Sequence, residues 1–473
     1  MDAHARRLDP AAARLRAQSV EAGLIQQETG IAAAVVRDRE PVYIGCFGMR
    51  DREKRLPVSP QTRFALSSAT KALTAFVAQQ LCAERGTNPD APVNAPRVLL
   101  ELHDSNATRE LSIADVLAHR SGLPSHDLLW YGDAWGAHDL PARLRFLSPL
   151  PDGFRNAFCY SNLMYGCLGT ILPDLAGETW EAAVERQVFG PLGMSRSLVG
   201  SGAAPESDDV AAPYVGGQRV AAKSAAAIPA AAAWRGSIED VARWLAVNAA
   251  DGVTPSGQRV APPDVFRRMR SPHAKVSEIN PLLFMGLEWM SSDVGYGLGW
   301  FLGEAAGRRL AFHPGFIDGF SSLLVVVPEL RLALAVVTNS NLNPLPGRFC
   351  KGLLEAWLGA AVPDVRAATP GPDTPDLPRR IVPDAWRNLA GTYTEPAYGR
   401  LQLSANPHRV VYGQQTWPVF LADGPRLGFT VRAFGIEIPL VGEAESVGGR
   451  PALRLPLPLD PRVPPPVFRR DAR

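Results

Sequence analysis

At 473 residues the chain is long enough for about three domains, or one large domain with an appendage, at roughly 150 residues each. Its 46% hydrophobic and 20% charged residues exclude disordered, collagen-like and coiled-coil classes. The formal net charge of +2 is too small for an electrostatic grip on nucleic acid or an anionic membrane, so neither is expected as a partner.

No stretch reaches the roughly 18 uncharged apolar residues of a spanning helix; the best run, Leu323 to Val337, is interrupted by Pro328, Glu329 and Arg331. The N-terminal MDAHARRLDPAAARLRAQSVEAG has no apolar core ahead of a small-residue cleavage site, so no secretory signal is expected and the location is read as cytoplasmic. Cys46, Cys82, Cys159, Cys167 and Cys350 are odd in number, scattered and without a C-x-x-C pair, which argues for reduced thiols and against a disulfide framework or zinc site.

In chain order, IAAAVVRD (Ile31 to Asp38) and VYIGCFGM read as a β-hairpin. Helical periodicity follows around Lys71 to Leu81, Ser112 to Ala118, Trp180 to Val188 and Ile238 to Asn248, broken by Pro- and Gly-rich loops. YGLGWFLG reads as a strand with glycines, and RLAFHPG, GFSSLLVVVPE and RLALAVVTN as antiparallel strands between Arg309 and Asn339. Strands at both ends with helices between predict an α/β (α+β) fold, one antiparallel sheet flanked by helices. The five prolines of TPGPDTPDLPRRIVPD mark a linker, and the runs beyond it predict a small all-β domain. The expected division is 1–363, a linker at 364–384, and 385–473.

Three patches carry chemistry. In FALSSATKALTAFVAQQL, Ser68 and Lys71 stand three apart at the start of a helix whose stripe is Leu73, Phe76, Val77, Gln80 and Leu81. A serine needs a neighbouring base to become a nucleophile, and a lysine serves only when its amine loses its proton. With five Lys among 49 basic residues, a Lys here is informative, because Arg does not give up its proton. In FCYSNLMYG, Tyr160 offers a phenol that can carry protons and Asn162 an amide that can orient a carbonyl, although taken alone the pair reads more simply as a half-buried Tyr beside an Asn cap. In FHPGFIDGF, Gly315 permits close backbone approach, the Phe316 amide would pair with that of Ser68 as two donors to an oxyanion, and His313 would sit within reach of substrate. His119 and His126, either side of the SGLP turn, lack ligand-spaced partners and read as structural, and no metal or cofactor is implied.

Taken together, S-x-x-K, Y-x-N and H-x-G in this order, with VLAHRSGLP, FGPLGM, RGSIEDVARWL and YGLGW, make the chain resemble the β-lactamase-related serine hydrolases: class C β-lactamases, penicillin-binding proteins, D-specific peptidases and esterases. The likeness runs from about Gly30 to Asn339, and the tail from LAGTYTEPAYG resembles the lipocalin-like domain that members append. The resemblance implies a β-lactamase/transpeptidase-like fold with an all-helical insertion. It also implies Ser68 as the acylated nucleophile, Lys71 as its base, Tyr160 as proton shuttle, and Asn162, His313, Gly315 and Phe316 on the substrate. His313 stands where β-lactam-binding members carry lysine, which favours an ester, amide or peptide over efficient β-lactam hydrolysis.

The expected activity is therefore acyl-enzyme hydrolysis of a small-molecule acyl or peptide substrate, with weak β-lactamase action possible. The alternatives are an acyltransferase or penicillin-binding-protein-type thioesterase that releases or cyclises a peptide, and a non-catalytic binding protein on the same fold. The aromatic loop with Trp130, Tyr131 and Trp135 would either wall an acyl pocket or pack under its loop, and Arg454 is a further candidate for a substrate carboxylate. The oligomeric state is left open by the sequence.

Overall fold

Val-, Ala- and Leu-rich runs form the sheet at the centre of the first part of the chain. In the computed structural model the described residues are 29–94, 99–132, 135–200, 209–276, 286–291, 293–341, 343–367, 380–404, 406–423, 425–460 and 462–471. The N-terminal segment read for a signal, and residues 368–379 of the expected linker, lie outside them. By Cα proximity the chain divides into two compact units, one of residues 1–89, 172–225 and 229–371, the other of residues 90–171, 226–228 and 372–473.

In the first unit, β1 (Ile31–Arg37) and β2 (Glu40–Phe47) form the expected hairpin, and β3 (Ala274–Lys275), β4 (Gly295–Tyr296), β5 (Phe301–Ala305), β6 (Arg308–Ile317), β7 (Phe320–Val327) and β8 (Leu332–Thr338) complete an antiparallel sheet. Its order is β2-β1-β8-β7-β6-β5-β4-β3, so the first and last strands of the unit meet in register, Ile31 opposite Thr338. Every residue of β7 and β8 is buried, as expected of strands covered on both faces, and helices α2 (Ile238–Ala249) and α3 (Leu345–Leu358) pack on them. YGLGWFLG is not one strand: β4 and β5 are joined by a turn through Gly297 and Gly299, the latter at φ +75.

Helix α1 (Thr70–Glu84) departs from the one-sided stripe expected of it. Leu73, Phe76, Val77 and Leu81 are buried, but so are Thr74, Ala75 and Ala78, while Gln80 is partly exposed. The helix is enclosed because small residues let its neighbours in: a Cβ on Gly299 would lie 2.6 Å from Lys71 O, and Thr74 Oγ1 donates to Ala230 O at 2.6 Å.

In the second unit, Ser112 and Asp115 form a reciprocal cap on the helix Ile113–Leu117. The buried Asp115 carboxylate also accepts from Arg120 (2.7 Å) and Arg155 (2.8 Å). The tail forms the predicted all-β fold: β9 (Gly391–Glu395), β10 (Gly399–Ser404), β11 (Arg409–Tyr412), β12 (Gln415–Asp423), β13 (Arg426–Ala433), β14 (Ile436–Val447), β15 (Arg450–Arg454) and β16 (Val467–Arg470) close an eight-stranded antiparallel barrel around Leu401, Tyr412, Trp417, Phe429 and Leu453. Strand β16 was not foreseen, because four residues after a proline run carry no alternation, yet its pairing with β9 and β15 closes the ring. Among the described residues no helix is long and apolar enough to cross a membrane.

Candidate active site

Ser68 lies in a tight turn, Ser67–Ala69, that leads into α1. Ser67 adopts φ +47, a left-handed conformation that costs a non-glycine residue roughly 1–3 kcal/mol and persists only where surroundings enforce it. Here they do. Ser67 Oγ donates to Phe316 O (2.7 Å), Ser322 Oγ donates to Leu66 O (2.9 Å), Leu66 N donates to Trp234 O (2.9 Å), and Thr70 Oγ1 donates to Ser67 O (2.5 Å). The turn is thus clamped between strands β6 and β7 on one side and the 230–234 segment on the other. Inside the clamp, Lys71 Nζ donates to Ser68 Oγ at 3.1 Å and to Ala231 O at 3.1 Å. Ser68 is 7% exposed and Lys71 0%.

Strand β6 supplies the next groups. β5 pairs with it only as far as Phe312, so over His313–Ile317 its strand partner is β7 alone. In an extended strand the N–H and C=O of one residue point the same way. Because Phe316 O accepts from Ser67, the Phe316 N–H also faces the Ser68 turn, as an oxyanion donor requires. By the same alternation Pro314, which has no N–H to leave unpaired, faces that edge. Side chains of alternate residues share a face, so His313 and Gly315 lie on the same side of the strand. At Gly315 that side abuts the nucleophile turn: a Cβ there would stand 2.2 Å from Leu66 O and 2.5 Å from Ser322 Oγ.

His313 is fully buried, and burial, with the nearby Lys71 charge second, pushes its pKa down to about 3. Its Nδ1 faces Pro314 O at 2.7 Å, and a carbonyl only accepts, so Nδ1 carries the proton. Nε2 therefore accepts from the Tyr296 hydroxyl at 3.2 Å. The ring is neutral and oriented by both contacts. Tyr296, in the YGLGW run, was not singled out from sequence, because nothing local ties it to a residue 17 positions on.

Tyr160 and Asn162 belong to the second unit. The Tyr160 ring lies 4.4 Å from the His119 ring, and Ser161 N donates to His119 Nδ1 at 3.1 Å, so His119 orders this segment as the structural reading of it anticipates. Asn162 opens the helix Asn162–Ala176, and its Nδ2 donates to Asp127 Oδ1 at 3.0 Å. The same oxygen accepts from Trp130 Nε1 at 2.8 Å. Asp127 was missed from sequence; an acid beside an aromatic loop gives no hint of a partner 35 residues away. His126 Nδ1 meets the Tyr398 hydroxyl at 2.9 Å, and burial pushes this histidine down to about 4.

The aromatic loop packs. Trp130 meets the Phe434 ring edge-to-face at 5.9 Å, Tyr131 lies tilted against it at 4.8 Å, and Arg143 covers the Trp135 ring at 3.6 Å. Arg454 is paired with Glu445 at 3.0 Å. Among the described residues no cluster of three His, Cys, Asp or Glu is arranged to hold a metal.

Comparison with known proteins places this geometry in context. The chain is similar to the unguisins hydrolase ungD of Aspergillus violaceofuscus, 26% identical over 343 residues that cover 68% of this chain and 60% of that protein. The chain spans about 60% of the length of that curated relative. Its fold is shared with a penicillin-binding protein homologue from Pyrococcus abyssi, described as octameric (TM-score 0.63, 20% identity, 97% of this chain and 100% of that one). It is shared too with a D-stereospecific amidohydrolase from Streptomyces (TM-score 0.56, 23% identity, 74% of this chain and 99% of that one). The Beta-lactamase family matches residues 16–356, most of the chain and the whole of the stretch that bears Ser68, Lys71, Tyr160, Asn162 and His313, and the protein belongs to that family.

Proposed function

We propose that this protein is a serine hydrolase that cleaves an ester or amide through an acyl-Ser68 intermediate. The 3.1 Å contact between the buried Lys71 amine and the Ser68 hydroxyl carries the reading. Lys71, in its unprotonated form, takes the proton from Ser68 as Oγ bonds to the substrate carbonyl carbon. The N–H groups of Ser68 and Phe316 hold the oxyanion. On collapse the bond to the leaving alcohol or amine breaks, and that group departs with a proton delivered by Tyr160. Water, losing a proton to Tyr160, then attacks the acyl carbon, and Ser68 Oγ leaves with the proton returned by Lys71, which restores both groups. Asn162 orients the acyl group, and Gly315 with the neutral His313 shapes the wall beside it.

Because His313 is neutral and its Nδ1–H is directed at Pro314 O, the ring brings no positive charge to a β-lactam carboxylate. This supports an ester, amide or peptide as the substrate. The hydrolase and amidohydrolase named among the similar proteins support the same class. We also propose that residues 1–363 form the hydrolase domain, 364–384 a linker and 385–473 a lipocalin-like module; the closure of β9–β16 on itself supports the last. A cytoplasmic location is supported by five cysteines that are all free thiols.

The test is a panel of p-nitrophenyl esters of increasing chain length, D- and L-aminoacyl p-nitroanilides and a chromogenic cephalosporin, assayed with wild type and Ser68→Ala. The expected result is turnover of an ester or amide that falls at least 10³-fold in Ser68→Ala, with the cephalosporin the poorer substrate. Retention of turnover in Ser68→Ala sinks the proposal. Added amine acceptors, with product analysis, show whether water or an amine discharges the enzyme.

A further inference from the structure

Beyond the far end of β6 from His313 lies a small cavity of about 40 Å³, lined by Arg63, Phe64, Ala65, Lys223, Arg235 and Asp318. By volume it holds a few waters or one carboxylate. Its place relative to the nucleophile follows from the chain. Ala65 pairs with Arg235 three residues before Ser68, and Asp318 comes two residues after Phe316, whose carbonyl receives the Ser67 hydroxyl. Ile317, the last residue of β6, and Asp318, in the turn after it, both line the cavity, which therefore begins within about 7 Å of the Phe316 amide at roughly 3.3 Å per extended residue.

Three cations and one carboxylate line this space, so its charge is positive. The Arg235 guanidinium is half-buried, burial lowers its pKa from the ordinary value, and among the described residues no ion pair is formed by it. Its backbone is fixed on both sides, in register with Ala65 and bonded to Leu198. The arginines of the larger cleft near Asp251 differ: Arg267 pairs with Asp264, Arg270 with Asp251, and Arg309 with Glu329. A cation removed from water without a counter-charge is costly, and a bound anion offsets that cost with charge-assisted, bidentate bonds.

We propose that Arg235 and its cavity form an anion subsite for the acyl group, so that the preferred substrate carries a carboxylate four to six carbons from the carbonyl that Ser68 attacks. This rests on the hydrolase reading above. An extended chain that leaves the acyl carbon at the Phe316 amide and follows β6 reaches Arg235 after that length. Arg235 is then a specificity residue that touches substrate without taking part in bond making.

The experiment compares p-nitrophenyl hydrogen glutarate and adipate with the uncharged pentanoate and hexanoate esters, in wild type, Arg235→Gln and Arg235→Lys, with melting temperatures recorded for all three. The ratio of kcat/KM for charged over uncharged ester is expected to exceed ten in wild type, to fall at least tenfold in Arg235→Gln and to recover partly in Arg235→Lys. A wild-type ratio near one, or a ratio that survives in Arg235→Gln, overturns the subsite. If Arg235→Gln does not fold, the wild-type ratio and its decline between 50 and 500 mM salt decide the matter, since a true ion contact is screened. If neither ester is cleaved, the hydrolase reading is judged separately by the ester, anilide and cephalosporin panel above. Calorimetric binding of adipate against hexanamide then judges the anion site, and equal or absent binding of both overturns it.

Discussion

Replacing Gly315 by alanine probes the contact on which the nucleophile turn depends. The new Cβ would stand 2.2 Å from Leu66 O and 2.5 Å from Ser322 Oγ, against an ordinary separation near 3.4 Å. Something must therefore move by about 1 Å, and neither neighbour yields freely. Leu66 is held by its amide bond to Trp234 O, and its carbonyl is the acceptor of the Ser322 hydroxyl. Overpacking of this kind costs roughly 1–3 kcal/mol of stability. Because Leu66 is two residues from Ser68, the displacement is passed to the reacting hydroxyl, and an error of about 1 Å there costs on the order of 10²-fold in rate. The assay is kcat/KM for the best ester found above, with the melting temperature, and with Gly295→Ala as control, where a Cβ meets nothing nearer than 3.6 Å. We expect Gly315→Ala to lose about 10²-fold and Gly295→Ala less than threefold. If Gly315→Ala keeps activity within threefold and melts with wild type, the clamp does not position Ser68.

Other consequences follow from buried polar groups. Asp115→Ala removes the carboxylate on which Arg120, Arg155 and the Ser112 amide converge. It should lower stability by roughly 2–3 kcal/mol in denaturant melts, short of the 3–5 for a fully buried pair because both arginines reach solvent. Asp127→Ala removes the acceptor that orients the Asn162 amide and is expected to reduce kcat/KM about tenfold, mainly through KM, with partial rescue by Asp127→Asn, which keeps the acceptor oxygen. His126 and His313 have folded pKa values of about 4 and about 3, below the ordinary 6.5 of the unfolded chain. The unfolded state therefore takes up protons first as pH falls. Stability is unaffected above about pH 6.5 and declines from there towards pH 4 and 3, by about 2 kcal/mol for each histidine at pH 5. Thermal melts from pH 7.5 to 5 check this, and His126→Gln should remove part of the decline.

The local parts of this site were legible in the sequence. Ser68 and Lys71 are three residues apart, so helical geometry alone makes them neighbours, and the strands after Arg309 announce themselves by unbroken runs of apolar residues. Gly315 was read as letting a substrate lie close to the strand; the close approach on its Cβ side is made by the chain's own Leu66 O. What escaped was set by pairing between distant segments. The orientation of His313 by Tyr296, of Asn162 by Asp127, and the closure of the barrel by β16 depend on which elements come together, and no periodicity encodes that. Helix α1 misled in the same way, since its Ala and Thr positions lie outside the expected stripe and yet close-packed neighbours enclose them.

The central claim is that Lys71 makes Ser68 a nucleophile. It is tested most directly by the rate at which a fluorophosphonate labels the intact protein, followed by mass spectrometry and peptide mapping, in wild type and in Lys71→Arg. The account predicts one adduct per chain, on the peptide bearing Ser68, in wild type, and labelling slowed at least 10²-fold in Lys71→Arg, whose guanidinium keeps its proton. An adduct at another residue, or equal labelling rates in the two proteins, contradicts it.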